Sequence, residues 1–197
     1  MIPSLPFHPN AILDVGANIG YWANEAAQKW PNAYLMLVEG NPECAQALAN
    51  TGRSYRIALL SDEEKTVTFY TRKDSPGCTG ASIYRENSQF YEGEKAIPHT
   101  ATTDTLDHLF PDDVFDFIKI DVQGSELDIL KGGKNLVSRA RALLLEVATS
   151  DYNPGAPRKE EVVAYCLANG FKQAITAEVI VHPVTRQPIQ EDVLFLR

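Results

Sequence analysis

No stretch of this chain is apolar for long enough to cross a bilayer. Its opening residues, Met1-Ile-Pro-Ser-Leu-Pro-Phe7, lack the basic and long apolar regions of a secretory leader. Cysteine is scarce: Cys44, Cys78 and Cys166 cannot all pair and none sits in a C-x-x-C, which reads as reduced thiols in a cytoplasmic protein. Cys44 and Cys166 fall in helical patterns and are expected in the core; Cys78 falls in a loop and is the one to check for reactivity. Basic residues are outnumbered, 18 Lys and Arg against 26 Asp and Glu. A formal charge of −8 argues against a broad phosphate-binding surface and makes nucleic acid a disfavoured partner. His8, His99, His108 and His182 share no metal-ligand spacing with each other or with the cysteines, so no metal site is expected. His99 alone draws notice, because it follows an irregular stretch. Repeats, low-complexity tracts and linkers are also missing, so residues 1–197 read as one domain.

What is present begins with Ala11-Ile-Leu-Asp-Val-Gly-Ala-Asn-Ile-Gly20. The short apolar run Ala11–Val15 is a buried strand by length and boundary, and the Ala-rich segment after Gly20 is helical. Gly16 and Gly20 bracket a tight turn where a ligand can lie against the main chain, facing a helix start. The spacing is not that of a dinucleotide fingerprint: Asn18 stands where the middle glycine lets a pyrophosphate approach. Asp14 would repel a pyrophosphate but would accept hydrogen bonds from an ammonium group. S-adenosylmethionine carries an ammonium, a carboxylate and no phosphate. The alternative is a plain strand-to-helix turn.

The order then repeats. Ala33–Val38 is a second strand closed by Glu39-Gly40, Asn41-Pro42 caps a helix running to about Asn50, and Tyr55–Leu60 is a third strand. Strand–helix–strand–helix–strand implies a parallel sheet with right-handed crossovers. Glu39, at the second strand's end, stands where a doubly wound fold places an acid on ribose hydroxyls; a solvated acid at a helix start is the alternative. Thr66–Tyr70 is an appended strand, and 72–100 is an irregular insertion whose Tyr84, Phe90 and Tyr91 suggest a lid or acceptor wall. Ile97–Thr103 is extended and Asp104 caps a short helix.

Phe115–Ile120 is a further buried strand with Asp121 at its carboxyl end. Ser125-Glu-Leu-Asp128 fits a capping box that opens a helix ending at Gly132-Gly133. Arg141–Val147 is a strand with Glu146 near its end, either lining a site or bonding to backbone, and Glu161–Asn169 is a helix. Phe171–Val181 and Val193–Leu196 pair antiparallel, since their connection is too short for a crossover. Lys119, inside an apolar run, is an edge residue or a buried partner for an acid. Asp121 reads as a base, as an orienter of an acceptor, or as a cap for the next helix.

These motifs resemble the FkbM family of S-adenosylmethionine-dependent methyltransferases. The resemblance rests on Ile12–Gly20, Val38-Glu-Gly-Asn-Pro42, Thr105-Leu-Asp107 and Phe117-Ile-Lys-Ile-Asp-Val-Gln-Gly-Ser-Glu126. It implies an α/β fold: a Rossmann-like seven-stranded, mostly parallel sheet with helices on both faces and the last strand antiparallel. It also implies cofactor contacts. Asp14, Gly16, Asn18 and Gly20 would hold the methionine portion and Glu39 the ribose, Asn41 and the Ala58–Asp62 turn would flank the adenine, and Ala17 and Gly40 would also touch the cofactor. Asp121 would face both cofactor and acceptor as the catalytic residue. Relatives commonly methylate hydroxyl oxygens of sugars or secondary metabolites, so a small hydroxylated acceptor is the expected partner; oligomeric state is left open. Two departures stand out. Gln123 replaces the family's usual Glu, and only ten residues precede the first strand, so the N-terminal cap of many relatives is not expected. Two other readings stay open: a nicotinamide-dependent oxidoreductase, and a degenerate fold kept for binding.

Overall fold

The computed structural model describes residues 2–73, 79–181 and 186–197. Cys78, His182 and Pro183, together with part of the 72–100 insertion, lie outside them. Seven strands form one sheet: β1 (Ala11–Val15), β2 (Tyr34–Glu39), β3 (Ser54–Ile57), β6 (Phe117–Ile120), β7 (Ala142–Ala148), β8 (Gln173–Val181) and β9 (Pro188–Leu196). Their order is β3-β2-β1-β6-β7-β9-β8, and β9 alone runs against its neighbours. A separate two-stranded sheet pairs β4 (Thr66–Arg72) antiparallel with β5 (Ala96–Thr102). The expected sheet is therefore found, including its antiparallel last strand.

The centre of the sheet follows from composition. β1 and β6 are short, apolar and buried along nearly their whole length, as parallel strands covered on both faces must be. Helix α1 (Tyr21–Lys29) and helix α2 (Ala45–Asn50) cover one face, and α3 (Leu106–Leu109), α4 (Glu126–Gly132), α5 (Lys134–Ser138) and α6 (Lys159–Ala168) cover the other. On the first face Phe117 lies between Trp22 and Trp30, with ring centroids 5.9 and 5.7 Å away. On the second, Phe110 and Phe115 meet edge to face at 5.5 Å. Both described cysteines, Cys44 and Cys166, are buried.

Several boundaries and caps differ from expectation. β3 stops at Ile57; its four residues are exposed at the sheet edge, and the chain turns away through Leu60, which bridges to Asp104. β9 begins at Pro188 rather than Val193, since a first strand position tolerates a missing N–H. Thr105, not Asp104, caps α3 by accepting from the His108 amide; Asp104 takes the Thr105 amide and the His108 ring. Ser125 forms no capping box. The Glu126 carboxylate instead turns back and accepts from the Val122 and Gly124 amides, each at 3.1 Å. Among the described residues no helix is long and apolar enough to cross a membrane.

Candidate active site

The chain leaves β1 towards β2 and β3 and returns on the other side of β1 as β6, so strand order reverses between β1 and β6. Open α/β sheets form a crevice at that point, beyond the strands' carboxyl ends. Here it is a cavity of about 330 Å³, within the usual range for small-ligand sites. Val15, Gly16 and Asn18 line it from β1, Glu39 and Gly40 from β2, Asp121 to Gln123 from β6, and Glu146 from β7. Ala58 to Leu60 close one side. Thr79 to Ile83, with Glu86, Tyr152 and Gln190, close the other.

Of the residues expected to bind cofactor, Gly16, Asn18, Glu39, Gly40, Ala58 and Asp121 line this cavity together. The other four do not. Asp14 is wholly buried in β1, one strand position short of the tip, with Oδ1 3.2 Å from the Lys119 ammonium and Oδ2 without a partner. Ala17 is buried, and its amide, like that of Gly16, donates to the Val38 carbonyl at 3.0 and 2.9 Å. The turn's first amides thus bind the neighbouring strand rather than standing free for an anion. Gly20 packs against α2, where a Cβ would lie 2.8 Å from Thr51 Cγ2. Asn41 is buried and caps the following turn by accepting from the Glu43 amide.

Gly16 uses the backbone freedom expected of it, and close packing adds a second need for glycine at this position. Its φ is +77°, and a Cβ there would fall 1.8 Å from the Asp121 carbonyl oxygen. The glycine lets the tips of β1 and β6 approach each other, which also brings Asp121 to the cavity. Glu39 is fixed by its own backbone: its two oxygens accept from the Asn18 amide at 2.7 Å and the Asn41 amide at 2.8 Å. Burial raises its proton affinity, and those two amides oppose the rise.

Lys119 resolves as a buried partner for acids. Its ammonium lies 3.2 Å from Asp14 and 3.2 Å from Asp121. Burial works against its charge, but Asp121 and Asp14 outweigh burial and hold it protonated. Burial likewise pushes the Asp121 carboxyl upward; Lys119 and the Gln123 amide prevail and keep it below its ordinary value. Rather than capping α4, the Asp121 carboxylate accepts from the Gln123 side-chain amide and pairs with Lys119.

Sequence reasoning did not identify Ser82, Glu86, Tyr152 or Gln190. Glu86 and Ser82 lie in an irregular stretch with no periodicity, and Gln190 reaches the site only because its strand pairs with β7 at Ala148. The insertion supplies wall through Thr79 to Ile83 and Glu86, not through the aromatics expected. Tyr84 donates to Asp128 at 2.9 Å, Tyr91 is buried, and Phe90 is exposed with the Arg72 guanidinium 4.9 Å from its ring. His99 lies in β5 beside Thr71, at 2.8 Å, away from the cavity.

The sheet order, the crevice at its switch point and the strand-tip carboxylates define a Rossmann-like fold of the kind methyltransferases share. More particularly, the chain belongs to the FkbM methyltransferase family, whose domain model matches residues 14–172. It is 29% identical over 164 residues to methyltransferase sdnD of Sordaria araneosa, a match covering 66% of this chain and 61% of that protein. The FkbM methyltransferase of Methylobacillus flagellatus superposes with a TM-score of 0.61 at 18% identity, covering 98% of this chain and 45% of that one. A TehB-like S-adenosylmethionine-dependent methyltransferase of Corynebacterium glutamicum gives 0.53 at 10% identity, covering 98% and 82%. The chain therefore spans less than two thirds of sdnD and of the Methylobacillus protein.

Proposed function

We propose that the protein is an S-adenosylmethionine-dependent methyltransferase acting on a hydroxyl oxygen of a small sugar or secondary metabolite. The observation that carries the reading is the cavity's donor set. Four carboxylates line it (Glu39, Glu86, Asp121 and Glu146), and among the described residues no Lys, Arg or His does. Such a wall suits a sulfonium and an ammonium, and the family membership supports the same cofactor. It disfavours a nicotinamide dinucleotide, whose pyrophosphate would meet acids, with the Gly16 and Ala17 amides already engaged.

When bound, the cofactor supplies an electrophilic methyl group. Glu39 would hold the ribose diol: each of its oxygens takes one backbone amide and keeps a lone pair for a hydroxyl. Asp14, with one oxygen unpartnered, sits behind the wall and fixes Lys119, which in turn fixes Asp121. Asp121 faces the acceptor and orients its hydroxyl. The segment from Thr79 to Glu86 would form the acceptor's far wall and exclude water. Alignment of this kind supplies up to about 7–11 kcal/mol of a barrier.

The test is transfer of labelled methyl from S-adenosylmethionine to a panel of hydroxylated acceptors, with the product treated by alkali. Alkali-stable label in a neutral product is the expected result. Label released as methanol would mark a carboxyl acceptor, and label held on an amine would mark a nitrogen acceptor; either would overturn the oxygen-ether reading.

A further inference from the structure

Gln123 has an uncommon backbone for a residue with a side chain, with φ +61°. Two neighbours fix it there: the Ser82 hydroxyl donates to its main-chain carbonyl at 2.8 Å, and the Gln190 amide donates to its side-chain oxygen at 3.2 Å. Its amide nitrogen is thereby turned to two carboxyl groups at once. It donates to Asp121 Oδ1 at 3.0 Å and to Glu146 Oε1, and Gln190 donates to the same Glu146 oxygen at 2.7 Å. One amide thus gathers the tips of β6 and β7 on the cavity wall.

Two carboxylates held this way differ in their surroundings. Asp121 has the Lys119 ammonium at 3.2 Å. The charged groups that act most strongly on Glu146 are acids: Asp121, Glu126 from α4 and Asp192 from β9. Burial first, and then the Asp121 charge, raise the Glu146 carboxyl well above its ordinary value. Tyr152 and Glu86 bond to each other on the opposite wall and add no cation. Where neighbouring carboxyls are pushed apart in this manner, one stays ionised and the other becomes the stronger base.

We propose that Glu146 is the general base of this site, with Asp121 as the fixed neighbouring anion and Gln123 as the positioning residue that holds both. The proposal rests on the methyltransferase reading above. The acceptor oxygen forms its bond to the methyl carbon as the sulfur–carbon bond breaks, the electron pair remaining on sulfur. The hydroxyl proton passes to the Glu146 carboxylate, and from there to water after product leaves. Gln123 is then no loss of machinery: a Glu at this position would add a third carboxyl, whereas the amide donates to both.

The proposal is tested on the protein without ligand, by following the ¹³C-labelled glutamate carboxyls through a pH titration and assigning Glu146 by its loss in Glu146→Gln. A Glu146 midpoint well above the ordinary glutamate range, falling in Asp121→Asn, supports the pairing. An ordinary midpoint, or one indifferent to Asp121→Asn, overturns it. With an acceptor in hand, Glu146→Gln is expected to lower kcat by roughly 10²–10⁴-fold and to leave binding of S-adenosylhomocysteine within about 3-fold, on the scale where tenfold is 1.4 kcal/mol. Unchanged kcat overturns the base. Failure of the wild-type protein to bind S-adenosylhomocysteine would instead strike the methyltransferase reading itself, so the two failures are told apart.

Discussion

Replacing Lys119 with Met removes a cation shared by the buried Asp14 and the partly exposed Asp121. The ammonium lies 3.2 Å from both Asp14 and Asp121, and Asp14 is fully buried with its second oxygen already unpartnered. Met keeps the stem's packing, so the change isolates the charge. Breaking a buried ion pair at one partner costs about 3–5 kcal/mol, because the other charge stays behind. In a domain of this size that is a fall in Tm of roughly 6–20 °C. The pH dependence has a definite sign. Burial already raises the Asp14 carboxyl, with Lys119 opposing it; without Lys119 the folded protein holds that proton more tightly still. Stability is then retained in acid, below the ordinary aspartate value, and lost as pH rises through the raised one. Urea unfolding of Lys119→Met should therefore show a deficit that is smaller at pH 4 than at pH 8, and Asp14→Asn in the same background should restore more than half. A deficit below about 1 kcal/mol at pH 8, the level of an exposed pair, would refute the assignment of Asp14 and Lys119 as a buried structural pair.

Gly16→Ala is expected to be the most damaging of the glycine substitutions in the first motif. It places a Cβ 1.8 Å from the Asp121 carbonyl at a φ of +77°, and the left-handed conformation alone costs about 1–2 kcal/mol; thermal melts should drop well beyond that share. Glu126 is raised to about 7, burial being the main cause. A folded value above the ordinary one means stability that is lost between about pH 4.5 and 7, on the order of 3 kcal/mol, and Glu126→Gln should flatten that part of the urea profile. Phe117→Ala should cost about 3–5 kcal/mol, because the ring fills the space between Trp22 and Trp30; tryptophan emission should shift red in the same variant before any unfolding.

The fold was legible because its central strands are short, apolar and separated by capped helices. Asn41 does cap the turn at Pro42, and the strands read at Ala11–Val15, Ala33–Val38 and Phe115–Ile120 form at Ala11–Val15, Tyr34–Glu39 and Phe117–Ile120. The site was half legible. Glu39, Asn18 and Asp121 stand at strand tips, where periodicity places them, and all three reach the cavity. Asp14 and Gly20 lie outside the cavity lining, Asp14 because it is one strand position short of the tip and Gly20 because it packs against Thr51. Glu146 and Gln190 came together only through antiparallel register, which no local pattern carries. The capping box read at Ser125 and Asp128 is not formed; Glu126 instead folds back onto the Val122 and Gly124 amides of the preceding turn.

The central claim, that the carboxylate-lined crevice between β1 and β6 holds S-adenosylmethionine, is tested most directly by calorimetric titration with S-adenosylhomocysteine, with NAD as control and Glu39→Ala alongside. Micromolar binding of the homocysteine compound, about −8 kcal/mol, weakened by Glu39→Ala and not matched by NAD, is the predicted result. No binding of S-adenosylhomocysteine, or binding indifferent to Glu39→Ala, would contradict the account.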